Sequence, residues 1–155
     1  MRIDRLDEDA WLRLREVRLS ALREAPYAFG TTADEAALWA EASWREQLRN
    51  FATFVAVVDE KDAGVVRGVR HADLQDTAYL ISMWVAPSAR RRGVGSALID
   101  EVITWTRSIG RTRVFLDVRT QNTGAETLYR AKGFVPTGVV HQDGAFLERQ
   151  YERFV

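Results

Sequence analysis

Hydrophobic positions recur along the chain with two periods, and the switches between them mark out its elements. From Asp7 onward Ala10, Leu14, Val17 and Ala21 fall at helical spacing, with Asp7 placed as N-cap and Pro26 ending the pattern. After a loop at Ala28–Thr32, residues 33–50 read as one or two short helices that put Trp44 and Leu48 on a common face. Thr53–Val58 and Val65–His71 are rich in β-branched residues, and the charged stretch Asp59–Asp62 with Gly64 between them predicts a hairpin. Ala78–Val85 is a third strand ending at Pro87. Val94–Ile109 follows as a strong helix with Val94, Leu98, Val102, Trp105 and Ile109 in one stripe, closed by Gly110. Val114–Val118 is the next strand. Thr123–Lys132 is then a helix with a capping box between Thr123 and Glu126 and a left-handed stop at Gly133. Gly138–His141 and Phe146–Phe154 form a closing hairpin turned at Asp143-Gly144. The order is helices, antiparallel strands, then β-α-β-α-β-β, which is an α/β (α+β) class.

Composition narrows the picture. A chain of 155 residues with 46% hydrophobic content has length for one core and little left for a second. The three prolines fall between periodic segments, and there is no repeat or Ser/Gly-rich linker, so residues 1–155 are expected to form one domain. Lys+Arg and Asp+Glu both number 22, which gives no overall charge to attract nucleic acid or an anionic membrane. With no cysteine, a disulfide framework, a thiolate metal site and a cysteine nucleophile are all excluded. His71 and His141 lack ligand spacing and read as strand or loop residues, so no metal is expected. The opening MRIDRLDEDAW alternates charged and apolar residues, which predicts neither a secretory signal nor a membrane span and hence a cytoplasmic protein.

The first candidate chemistry lies where the third strand turns into a helix, in the segment from Val85 and Ala86 through Arg90, Arg91, Arg92, Gly93, Val94, Gly95 and Ser96. The first turn of a helix leaves backbone N–H groups without partners, and its dipole favours a negative charge there. Glycines let the backbone take unusual dihedrals and let a phosphate oxygen approach, and arginines at the rim add charge-assisted bonds. The plain alternative is a solvated basic loop with turn glycines. A Walker loop needs a terminal Gly-Lys-Ser/Thr and a dinucleotide fingerprint needs a third glycine, and neither is present. A diphosphate outside those two classes is the chemical reading that survives.

The second segment runs from Asn122 through Ala125, Leu128 and Tyr129 to Gly133 and Phe134. Tyr129 sits about two turns into its helix on the side of Ala125, where a tyrosine by itself reads as a packing residue. Taken together and in this order, the two segments resemble the GNAT superfamily of N-acetyltransferases. Its coenzyme A loop reads Arg/Gln-x-x-Gly-x-Gly/Ala, met here by Arg90, Gly93 and Gly95. Its later segment reads Asn-x-x-Ala-x-x-Leu-Tyr-x-x-x-Gly-Phe, met by Asn122, Ala125, Leu128, Tyr129, Gly133 and Phe134. The resemblance is close over residues 77–138.

That resemblance implies a mixed, mostly antiparallel sheet flanked by helices, in which the strands at Ala78–Val85 and Val114–Val118 splay apart. It implies acetyl-CoA as cosubstrate and an amine as acceptor, joined directly in a ternary complex with no metal. The diphosphate would lie over Arg90–Ser96 and the pantetheine arm along the backbone of Trp84, Val85 and Ala86. Asn122 and Ala125 would flank the cofactor, with Tyr129 as the general acid that protonates the departing sulfur. Many relatives place a glutamate on the strand before the coenzyme loop, whereas this strand, Tyr79–Val85, has no carboxylate. Asp117 is then the nearest candidate base, with a structural carboxylate as the equal alternative; Glu148 on the last strand is a weaker candidate, and a water chain relayed by Ser82 or backbone carbonyls would equally serve. The acceptor, a small-molecule or peptide amine, would meet Ala25–Trp44 and His141–Phe146, where Tyr27, Phe29, Trp39 and Trp44 either wall a pocket or fill the core. The protein would be a monomer or homodimer. The rival reading is a non-catalytic acyl-CoA sensor or interaction module.

Overall fold

A computed structural model describes residues 1–155. Its centre is a seven-stranded sheet: β1 (Arg2–Leu6), β2 (Ala52–Val58), β3 (Lys61–Arg70), β4 (Thr77–Val85), β5 (Arg113–Arg119), β6 (Val135–Asp143) and β7 (Phe146–Phe154), in the order β1-β2-β3-β4-β5-β7-β6. The helices are α1 (Trp11–Glu24), α2 (Ala33–Ala37), α3 (Glu41–Asn50), α4 (Val94–Ser108) and α5 (Thr123–Ala131). All strand pairs are antiparallel except β4 with β5.

Two cores form, one on each face of the sheet. On one face Leu98, Val102 and Trp105 of α4 pack with Phe54, Ala56, Val66 and Leu80, together with Tyr129 and Phe134. On the other, Leu14, Val17 and Leu22 of α1 and Trp44 of α3 pack on Val55, Val65 and Trp84. Covered from both sides, every residue of β2 is buried, which is why its sequence is apolar except at Thr53, whose hydroxyl donates to Phe51 O. Gly68 sets how closely α4 approaches: a Cβ there would lie 2.6 Å from the Trp105 ring.

Three local expectations are corrected. The N-terminal segment Arg2–Leu6 is a strand on the edge of the sheet, paired with β2 from Arg2↔Val57 to Leu6↔Thr53, and not merely the approach to a helix. The cap of α5 is Asn122, whose Oδ1 accepts from Ala125 N at 3.2 Å, in place of a Thr123–Glu126 box; the chain's capping box is Thr32 with Glu35 at α2. Pro136 lies inside β6 instead of before it. An edge strand tolerates a residue without an N–H, and the register shift between Pro136 and Val140 absorbs it. No helix is long and apolar enough to cross a membrane.

The feature that positions the site is the junction of β4 and β5. Their parallel pairing spans only Thr77↔Arg113, Ala78↔Val114 and Tyr79↔Phe115. Beyond Tyr79 the strands diverge, β5 staying on β7 over its full length while β4 follows β3. A bulge helps: the β3–β4 register shifts between Val65 and Arg67, and Ser82 opposite it is left-handed at φ 59°.

Candidate active site

The divergence opens a groove of about 760 Å³ floored by Met83, Trp84 and Val85 of β4 and walled by Gly93–Ser96 and by Ala125 and Leu128 of α5. Beside it lies a cavity of about 100 Å³ that holds Ser82, Asp117, Arg119, Tyr129 and Glu148. Ala28, Phe29, Met83, Asn122 and Ala125 line both, so the two spaces adjoin. Phe134 packs behind them, its ring edge-on to Tyr129 at 6.0 Å.

At the coenzyme-loop end, Gly93 is the left-handed N-cap of α4 at φ 79°. Ala97 N, bonded to Gly93 O at 3.1 Å, is the first amide with a helical acceptor, so the amides of Val94, Gly95 and Ser96 point out at the positive end of the dipole. Gly95 has a role that its spacing did not reveal. A Cβ there would meet Leu128 Cδ2 at 2.8 Å, so any side chain at this position must displace the end of Leu128 from the groove wall.

The three arginines separate. Arg92 donates to Asp59 at 3.0 Å and does not line the groove. Arg90 lines it but is tied down, donating from Nε to Val85 O at 3.0 Å and from Nη2 to Glu24 at 2.9 and 3.0 Å. Arg91, left-handed at φ 62°, lines the groove and forms no ion pair. Trp84 reaches the groove beside Val85 but sends its indole to the other face, where Nε1 donates to Glu24 at 2.8 Å. Ala86 is withdrawn, its N–H spent on Ala63 O at 2.8 Å.

In the cavity, Tyr129 is only 5% exposed, and its hydroxyl makes no hydrogen bond within the protein. Burial raises its pKa well above the ordinary phenol value, so it stays protonated at neutral pH. Asn122 spends its Oδ1 on the α5 cap, which leaves its amide N–H groups for whatever enters.

Asp117 and Glu148 lie on one sheet face, since Asp117 pairs with Gln150 and Arg119 with Glu148. Burial raises the Asp117 pKa, partly offset by His141, whose Nε2 is 3.6 Å from Oδ1. Burial also raises Glu148, helped by Asp143 and Asp117 and opposed by Arg119. A carboxyl whose folded pKa lies above its unfolded value stabilises the fold most below that unfolded value, and the contribution is lost as pH rises through the folded pKa. Glu148→Gln should therefore raise the melting temperature at pH 7, and the gain should vanish near pH ~3, where both side chains are neutral. A gain of the same size at both pH values would remove the charge crowding as its cause.

The sequence did not single out two further residues. Glu24 couples the end of α1 to both Trp84 and Arg90. Arg119 donates to Tyr27 O and, at 3.1 Å, to Phe29 O, with the Phe146 ring 3.8 Å from its guanidinium, which staples the Pro26–Phe29 segment over the cavity. Of the four aromatics named as walls, Tyr27 and Phe29 line the groove, while Trp39 and Trp44 pack together in the core at 5.2 Å.

Comparison with known proteins gives the same direction. Residues 13–134 match the model of the acetyltransferase (GNAT) family. An uncharacterized N-acetyltransferase of Methanocaldococcus jannaschii is 33% identical over 91 residues, 56% of this chain and 40% of that protein. Aminoglycoside N(6')-acetyltransferase type 1 of Klebsiella aerogenes is 35% identical over 65 residues, 42% of this chain and 43% of that protein. These matches thus span less than half of either relative. The crystal structure of a GNAT-family acetyltransferase from Streptococcus pneumoniae superposes with a TM-score of 0.82 at 21% identity, covering 99% of this chain and 98% of that one.

Proposed function

Because the chain belongs to the GNAT acetyltransferase family, we propose that residues 1–155, as one domain, transfer the acetyl group of acetyl-CoA to a primary amine by direct attack in a ternary complex. The observation that carries this reading is the adjacency of the two spaces. A groove that begins at open helix amides adjoins a cavity lined by a tyrosine whose hydroxyl makes no hydrogen bond within the protein.

The residues present fit the cofactor. The amides of Val94, Gly95 and Ser96, with Arg91 at the rim, would hold a diphosphate. The edge of β4 at Met83–Val85, released from β5, offers backbone groups to an amide-bearing arm, and Asn122 adds a side-chain donor beside it. Acetyl-CoA supplies the activated acyl group as a thioester. Asp117, with its raised pKa, is a stronger proton acceptor than an ordinary aspartate and takes the proton from the amine. Tyr129 keeps its proton until the sulfur departs and then donates it. The base matters most for a lysine-like acceptor, only ~0.1% neutral near pH 7.4 given a pKa of about 10.4.

The absence of a carboxylate on β4 is what favours the second reading, an acyl-CoA-binding module without turnover. A panel of amines mixed with acetyl-CoA and followed by thiol release separates the two. Release above the rate without acceptor is the expected result, whereas tight acetyl-CoA binding with no turnover of any amine would leave the binding module.

A further inference from the structure

Two guanidinium groups are buried beside the cavity with no negative charge to meet them. Arg18 of α1 is 5% exposed and Arg67 of β3 is 7% exposed. Arg67 is held by neutral partners: Nε and Nη2 donate to Ser82 Oγ at 3.0 and 2.7 Å, and Nη1 donates to Gln47 Oε1 at 2.7 Å. Arg18 has less. Its guanidinium carbon sits 5.2 Å from the centre of the Phe29 ring, and its Nε and Nη1 are buried without any hydrogen-bond partner. Burial pulls both below the usual arginine value, and the charge of Arg18 pulls Arg67 down further, so the two lie close enough to repel. A guanidinium nevertheless stays charged at neutral pH.

Unpaired charges in a protein interior are costly, and an orphaned buried donor calls for a reason. The position supplies one. Ser82, which accepts from Arg67, and Phe29, which covers Arg18, both line the small cavity that contains Asp117, Tyr129 and Glu148. Ser82 Oγ accepts twice from Arg67 and donates to nothing in the protein, so its proton is free for a group in the cavity. Its left-handed backbone at the β4 bulge is the kind of strain that persists where the surroundings demand one geometry. On the β5–β7 side the cavity has Asp117 and Glu148, with Arg119 beside them committed to Tyr27 O, Phe29 O and Asp143, and on the other side Arg18 and Arg67 lie behind Phe29 and β4 without a carboxylate.

We infer that the acceptor is a small zwitterion, an amine that also carries a carboxylate, with the carboxylate drawn to Ser82, Arg18 and Arg67 while its amine faces Asp117. This rests on the acetyltransferase reading above and names its substrate class. A carboxylate accepting from Ser82 Oγ would place a counter-charge in the field of both guanidinium groups, which lie behind Ser82 and Phe29. The ~100 Å³ cavity is of the size of an amino-acid backbone with its two charged groups.

The test compares L-α-amino acids with their carboxamides, which keep the side chain and amine and lose the carboxylate. Thiol release is measured with saturating acetyl-CoA, and melting temperature with coenzyme A and each ligand. The best acid should exceed its amide in kcat/KM on the order of 100-fold and should raise the melting temperature more. In Arg18→Met and Arg18→Gln that ratio should fall to near one. Amides as good as acids in the native protein would overturn the inference. So would a ratio that survives both substitutions with only a lowered melting temperature, since that is the signature of a structural arginine. If acids neither react nor shift melting, the inference also falls; acetyl-CoA binding and turnover of other amines, measured separately, then decide the fate of the wider reading.

Discussion

Replacing Tyr129 by phenylalanine should lower kcat by about 10²–10⁴-fold, the usual worth of a positioned general acid, while leaving acetyl-CoA affinity within a few-fold. The structure makes this substitution informative. The ring carries the packing against Phe134 and is kept by phenylalanine, and the hydroxyl has no bond within the protein to lose. Stability should therefore hold, because the hydroxyl opens on the cavity and its removal breaks no bond within the protein. Any large effect then belongs to chemistry. A near-native kcat where chemistry limits the rate would sink the catalytic assignment and return Tyr129 to the core.

The second large effect is expected at Gly95. Aspartate there should weaken acetyl-CoA binding by roughly 100-fold or more, because like charges brought together at a binding site cost several kcal/mol and each 1.4 kcal/mol is tenfold. A side chain at this position also meets Leu128 at 2.8 Å, so the charge must be separated from the bulk. Gly95→Ala does this: it makes the same contact without the carboxylate, and the leucine end can swing aside. Calorimetry should find the alanine variant far closer to the native protein than the aspartate variant. Equal losses would assign the position to helix packing, and no loss in a folded Gly95→Asp would move the diphosphate elsewhere.

Much of the architecture was legible because periodicity reports burial. The stripe of α4, the strands β2 to β5 and the glycine stops all follow from which faces are covered. β1 was not, because Arg2, Asp4 and Arg5 give an edge strand the look of a charged leader, with Leu6 its one buried residue. At the candidate site, the segments carried by one loop or one helix, Gly93–Ser96 and Asn122–Tyr129, were singled out through their resemblance to the family's two motifs. Those whose role depends on a distant partner could not. Arg90 and Arg92 look alike in sequence, yet one answers to Glu24 and the other to Asp59. Arg18 left a trace: it stands four residues after Leu14 and beside Val17, on the face that packs inward.

The split between β4 and β5 also divides the sheet into two leaves. β2 to β4 are joined by neighbouring antiparallel pairings, and β6 and β7 by a hairpin turned at Gly144, contacts that close short loops at small entropic cost, whereas β1 reaches β2 across the whole helical segment between them. Between the leaves the sheet itself has three parallel rungs, and one core containing Leu80, Leu98, Val102 and Leu116 spans them on one face. Past Tyr79 the seam is thus held by side chains and not by backbone pairing, so a molecule can lie in it without costing the sheet a hydrogen bond.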